Sequence, residues 1–185
     1  MEKIMAIMLK SDYIEKIKKS QRASIDKSLK YLENGLSEAE NQYAAIHQSM
    51  KANSYGLKGN LSRLLKSADY YSAILINTQK AKMDIDELRR NSSEPLNCQA
   101  LYLSRWEKQY YELMRNYIRA ISHSVDIIID HLQILVLQKQ GLDHPKTSRK
   151  NYNSSLDYYL ASRLTCKKMA DKLSLYKQSV SLKAV

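Results

Sequence analysis

A chain of 185 residues with 44% apolar content can bury one core, and its two prolines and four glycines are too few for a fold of many short strands and turns. Thirty basic against nineteen acidic residues give a net charge of +11, which suits contact with something acidic. The two cysteines, Cys98 and Cys166, are too few for a disulfide framework and lack metal-ligand spacing.

No secretory signal is evident, because Met1 to Leu9 is apolar but no small-residue cleavage site follows before Ser11-Asp12-Tyr13. The longest apolar run, Val125 to Leu137, contains Asp126, Asp130 and His131 and falls short of the roughly 20 residues that a membrane span requires. A cytoplasmic protein is the expectation. The charge is uneven: residues 1–30 carry about +4 and residues 138–185 about +7, so both ends hold the excess.

From Ile4 to Ile17 the residues Ile4, Ile7, Met8, Tyr13, Ile14 and Ile17 keep helical spacing, marking 1–20 as an N-terminal amphipathic helix. Lys18-Lys19-Ser20-Gln21-Arg22 interrupts the stripe, so the helix either continues through a solvated turn or breaks near Ser20. Between Ile25 and Met50 the residues Leu29, Leu32, Leu36, Ala39, Tyr43 and Ile46 alternate steps of three and four, the seam a coiled coil or helical bundle needs. Gly35 inside that stretch predicts a bend or a close helix approach.

Asn53-Ser-Tyr-Gly56-Leu-Lys-Gly59-Asn60 reads as a helix stop, a reversal and a new start capped by Asn60. A second helix is expected over 61–90 on Leu64, Ala68, Tyr71, Leu75, Thr78, Ile85 and Leu88, closing on Arg89-Arg90 as the helix dipole favours. Ser93-Glu94-Pro95 signals the start of a third helix that runs to about Gln140. It carries two staggered seams, Leu103, Trp106, Tyr110, Leu113, Tyr117 and Ala120 beside Met114, Ile118, Ile121, Val125, Ile128, Leu132 and Leu135. Two adjacent seams make a wide apolar face, so this helix should be the most buried. Gly141 and Pro145 end it. A fourth helix follows on Tyr152, Leu156, Tyr159, Cys166, Met169, Leu173, Tyr176 and Val180.

Fourteen tyrosines and no phenylalanine point to a narrow bundle whose seams lie close enough to water to satisfy the phenols. Short connections between long helices favour antiparallel neighbours. The expected fold is all-α: an antiparallel up-down-up-down bundle of four long helices, core 22–180, with an additional or continuous N-terminal helix, in a single domain over 1–185.

No Gly-rich phosphate loop, Cys-x-x-Cys pair or nucleophile motif is present. Arg115, Arg119, His123, Asp126 and Asp130 fall along one side of helix three, and a histidine with two carboxylates can bind metal. Bundle metal sites, however, draw Glu-x-x-His from other helices, and none here supplies it. A polar face stitched by Arg–Asp pairs one turn apart is the simpler reading. The isolated His47, His131 and His144 carry no ligand pattern. No catalytic residue, cofactor or metal is expected, and the protein reads as a non-enzyme.

Two surfaces remain for function. The far end of helix three is apolar nearly all round, which marks Ile127, Ile129, Ile134, Val136 and Leu137 as an interface for a protein partner or a second copy. The basic residues Lys16, Lys18, Lys19 and Arg22, with Lys146, Arg149, Lys150, Lys167, Lys168 and Lys172, could meet an acidic partner or phosphates. The favoured expectation is a non-enzymatic interaction or assembly module. A basic nucleic-acid-binding bundle, accessory to a nucleoprotein complex, is the alternative, and lipid-surface binding through residues 1–20 is less favoured.

Overall fold

A computed structural model describes residues 2–54, 66–92, 103–142 and 149–181, and these form four helices. They are α1 (Glu2–Ser54), α2 (Ala68–Asn91), α3 (Arg105–Lys139) and α4 (Arg149–Ser181), with no strand among the described residues. Side-chain partners give their directions. Gln42 donates to Asp84 and Asn91 to Tyr31, so α2 runs antiparallel to α1. Tyr111 donates to the Ser92 carbonyl and Lys82 pairs with Asp126, which turns α3 back along α2. His131 with Ser155, and Tyr176 with Gln109, do the same for α4 against α3. The result is the expected up-down-up-down bundle, in which α1 and α3 run parallel across the core.

The helix starts differ from the sequence expectation. Ser67 caps α2, its hydroxyl accepting from the Tyr70 amide at 3.3 Å. Lys66 and Ser67 are not helical, so the helix expected over 61–90 begins at Ala68, while Asn60 and Leu64 lie outside the described residues. Likewise α3 starts at Arg105, not at Ser93: Ser104 and Glu107 form a reciprocal capping box that closes this end. Ser93, Glu94 and Pro95 lie outside the described residues. Gly141 takes a positive φ of 68° just past α3, as the expected C-terminal glycine stop requires.

The N-terminal helix is not separate. α1 passes through Lys18 to Arg22 without a break, and side chains 15–20 are all exposed, which selects the solvated turn. Its 53 residues rise about 80 Å, against about 53 Å for the 35 residues of α3. α1 therefore overshoots its longest neighbour.

The core forms on α3. All seven residues of its second seam, Met114 through Leu135, are buried, and Leu32, Leu36, Ala39 and Ile46 of α1 join them with Leu29 and Tyr43 alongside. The other α3 seam holds at Leu103, Tyr110 and Tyr117 but not at Trp106, which is 42% exposed. The tyrosines find partners as a narrow bundle allows: Tyr43 bonds Ser124 at 2.9 Å, Tyr111 the Ser92 carbonyl at 2.9 Å, and Tyr159 meets His47. Ser124 bonds Ser162 at 2.9 Å in turn, so one polar row crosses α1, α3 and α4 inside the apolar layers. Gly35 marks a close approach, since a Cβ there would lie 2.5 Å from Leu88 Cδ1.

Candidate functional site

The capping box that starts α3 also builds a polar corner of the bundle. Glu107 has no exposed side-chain surface; its Oε2 accepts from the Ser104 amide at 2.8 Å and hydroxyl at 2.6 Å, while Oε1 meets Arg22 of α1 at 2.6 Å. Burial raises the Glu107 pKa, but the bonds from Ser104 and Arg22 outweigh it and hold the carboxylate below its ordinary value. One turn along, Tyr110 donates to Glu33 at 2.5 Å, and Lys177 of α4 pairs with the same oxygen at 3.0 Å. Burial raises the Glu33 pKa as well, and Tyr110 with Lys177 pulls it below the usual range. The Tyr110 hydroxyl is pushed up to about 12, first by burial and then by Glu33. Lys177 is raised, chiefly by its bond to Tyr110.

Between α1, α3 and α4, Arg22, Glu33 and Lys177 border a groove of about 540 Å³ whose aromatic wall is Trp106, Tyr110 and Tyr176. Tyr110 and Tyr176 stack nearly parallel with centroids 6.4 Å apart, and the Tyr176 hydroxyl donates to the Trp106 carbonyl at 3.1 Å. The carboxylate of Glu33 and the ammonium of Lys177 are each driven toward the charged form. That is the signature of a structural ion pair, and it opposes the near-neutral pKa a general acid or base needs.

The basic residues proposed from sequence do not form one patch. Lys16, Lys18 and Lys19 are exposed on the overhanging part of α1, whereas Arg22 is engaged by Asp26 at 2.9 Å and by Glu107. Arg149 and Lys150 begin α4 at the opposite end of the bundle, and Lys146 lies outside the described residues. Lys167, Lys168 and Lys172 are exposed between those ends.

The apolar end of α3 is partly covered by the bundle itself. Ile134 is 6% exposed, while Ile127, Ile129 and Val136 are half-buried against the core and Leu137 is half-buried. By length and composition α3 could cross a membrane, but half of its most apolar window is buried inside the bundle, as in the core helix of a globular protein. The more exposed aliphatics are Leu142 just past α3, Leu160, Leu164 and Leu175 on α4, Ile76 and Met83 on α2, and Ile17 on α1.

The polar side of α3 is assembled differently from the expected Arg–Asp stitching. Arg115 pairs with Glu112 at 3.3 Å, and Asp126 pairs across to Lys82 of α2 at 2.9 Å. Lys82 is a hub, reaching Asp86 at 3.0 Å and the Ser122 hydroxyl at 2.8 Å as well. Arg119, His123 and Asp130 are exposed. His131 is buried and bonds Ser155 at 2.7 Å, and His144 lies outside the described residues. No group of three His, Cys, Asp or Glu side chains able to hold a metal occurs among the described residues. Cys166 is a free, buried thiol whose pKa is raised by burial; Cys98 lies outside the described residues.

Sequence reasoning missed the Ser104–Glu107 box, although Ser-x-x-Glu ahead of an apolar run is its signal. It also missed the α4 aliphatics, which sit among polar residues. No protein-family model, no curated protein and no solved structure matches this chain.

Proposed function

We propose that the protein is a non-enzymatic helical-bundle module that associates with itself or with a protein partner through apolar helix surface. The supporting observation is the row Leu160, Leu164 and Leu175 on α4, exposed by 36%, 54% and 65%. At 100° per residue these three fall in one sector of α4, opposite Tyr159, Cys166 and Leu173, which pack into the core. Single exposed aliphatics are ordinary on any surface. The three leucines span a strip of about 22 Å on one side of the helix, with exposed Lys167, Lys168 and Asp171 between Leu164 and Leu175, and covering what remains exposed of each leucine is worth roughly 0.5–2 kcal/mol.

Sedimentation equilibrium tests this directly. Wild type should associate as concentration rises, and Leu164→Glu with Leu175→Glu should give a monomer of unchanged helicity, because both positions are solvent-facing. A wild-type monomer at every concentration, or association that survives both substitutions, refutes self-association through the strip.

A second reading, a basic bundle that binds nucleic acid as an accessory subunit, is supported by the exposed Lys167, Lys168 and Lys172 on α4. It requires affinity that falls steeply with salt and weakens on Lys167→Gln with Lys168→Gln. Undetectable binding at low salt removes it.

A further inference from the structure

We infer that the overhanging N-terminal part of α1 docks on an anionic membrane surface. The first ground is geometric. Side chains Glu15 through Ser20 are all exposed, Ile17 by 38%, and Ile25, at 1%, is the first fully buried side chain along the described part of α1. The helical backbone nevertheless continues upstream to Glu2, about 30 Å beyond Arg22. A helix of that length is marginal in water on its own, so a surface that accepts it is also what would stabilise it.

The second ground is the sequence of the overhang. Ile4 to Leu9 is an unbroken apolar run, and further along Tyr13, Ile14 and Ile17 fall within one sector of about 100°, which Lys10 also enters, while Glu15, Lys16, Lys18 and Lys19 take most of the remainder. The third is charge: five basic against three acidic residues ahead of Arg22, which is itself engaged by Asp26 and Glu107, leave about +2. An apolar tip and sector flanked by lysines is the pattern of a helix lying in the headgroup region, where lysine stems extend along the apolar zone and their ammonium groups reach the lipid phosphates. The same charge disfavours pairing with a second copy, because two arms would bring about +2 each into contact. Nucleic acid would engage the lysines but offers the Ile4–Leu9 run no apolar surface. This docking is independent of the α4 strip.

Vesicle co-flotation of the full chain is the test. It should float with vesicles of phosphatidylcholine mixed with phosphatidylserine at low salt, and far less with phosphatidylcholine alone. A lysine near such a surface contributes about fivefold, so Lys16→Gln, Lys18→Gln and Lys19→Gln together should weaken binding roughly a hundredfold. Ile14→Glu with Ile17→Glu should abolish it. Coincident thermal melts check that the variants fold alike, as expected where Lys16, Ile17, Lys18 and Lys19 are exposed. Failure to float with the serine lipid, or equal flotation of the isoleucine variant, overturns the inference. So does a dimer in lipid-free solution that the isoleucine variant dissociates, which would make the occupant a second copy. Tighter binding to an RNA oligonucleotide than to vesicles, lost in the lysine variant alone, overturns it in favour of nucleic acid.

Discussion

Gly35→Ala is the sharpest probe of how α1 meets α2. Alanine would ordinarily stabilise a helix interior relative to glycine by about 0.5–1 kcal/mol. Here the new methyl would sit 2.5 Å from Leu88 Cδ1, 3.3 Å from Cδ2 and 3.4 Å from Cγ. Carbon atoms prefer separations of roughly 3.5–4.0 Å, so about 1 Å must be absorbed. The clashing atom ends a flexible side chain, but Leu88 is 6% exposed and packs into a dense core, where overpacking costs about 1–3 kcal/mol. Taking one from the other leaves a net destabilisation of about 1 kcal/mol, or a urea midpoint lowered by about 0.3–1 M at an unchanged slope. The sign is what matters, because at an uncrowded glycine it would be reversed. A double-mutant cycle isolates the cause. Leu88→Ala alone costs about 2–5 kcal/mol through its cavity, and in the Gly35→Ala background it should cost about 1–3 kcal/mol less because the clash is gone. Stabilisation by Gly35→Ala together with a cycle that shows no coupling refutes the close approach.

Two further expectations concern the polar corners. Burial pushes the Glu33, Asp86 and Glu107 pKa values up, and hydrogen bonds and cations more than reverse it, so all three sit below their ordinary values. Their stabilisation is complete above the unfolded values of 4.5, 3.8 and 4.5 and is lost as pH falls through the lower folded ones. Tm should therefore decline on acidification below about pH 4.5, with a shallower acid limb in Glu107→Gln; identical limbs would contradict the assignment. At the Lys82 hub, Lys82→Met keeps much of the stem but leaves Asp126 without its cation and Asp86 with Arg89 alone, 3.6 Å away, for a loss of about 1 kcal/mol given their partial exposure. The loss should shrink with added salt in parallel denaturant titrations, and a salt-independent effect would point to packing instead.

Much of the architecture was legible because periodicity reports which face must leave water. Leu32, Leu36, Ala39 and Ile46 on α1 and the Met114–Leu135 seam on α3 are buried where their spacing placed them. Helix starts were less legible, because several polar triplets compete for each start. Asn60 and Ser93 looked adequate as caps, yet Ser67 and Ser104 form the caps that the structure describes. Trp106 fitted a seam by register but sits in the first turn of α3, where the bundle covers it only in part. Arg22 read as a free cation although Asp26 stands one turn along the same helix; its second and buried partner, Glu107, is remote in sequence and is delivered only by the parallel placement of α1 and α3. The same limit hid the Lys82 hub. Charge content is local information, whereas charge neutralisation is tertiary.

The hydroxyl row from Tyr43 through Ser124 to Ser162 bears on alignment. Aliphatic seams tolerate a shift of one heptad, because one layer of leucines and isoleucines resembles the next. If α4 slid by two turns, Ser162 would leave Ser124 for the level of Tyr117 or His131 and the Tyr43–Ser124–Ser162 row would be broken, with each hydroxyl left unpaired costing about 1–3 kcal/mol. The row thus acts as a vernier mark on an otherwise smooth scale, allowing helices that could stack at several heights to lock at one.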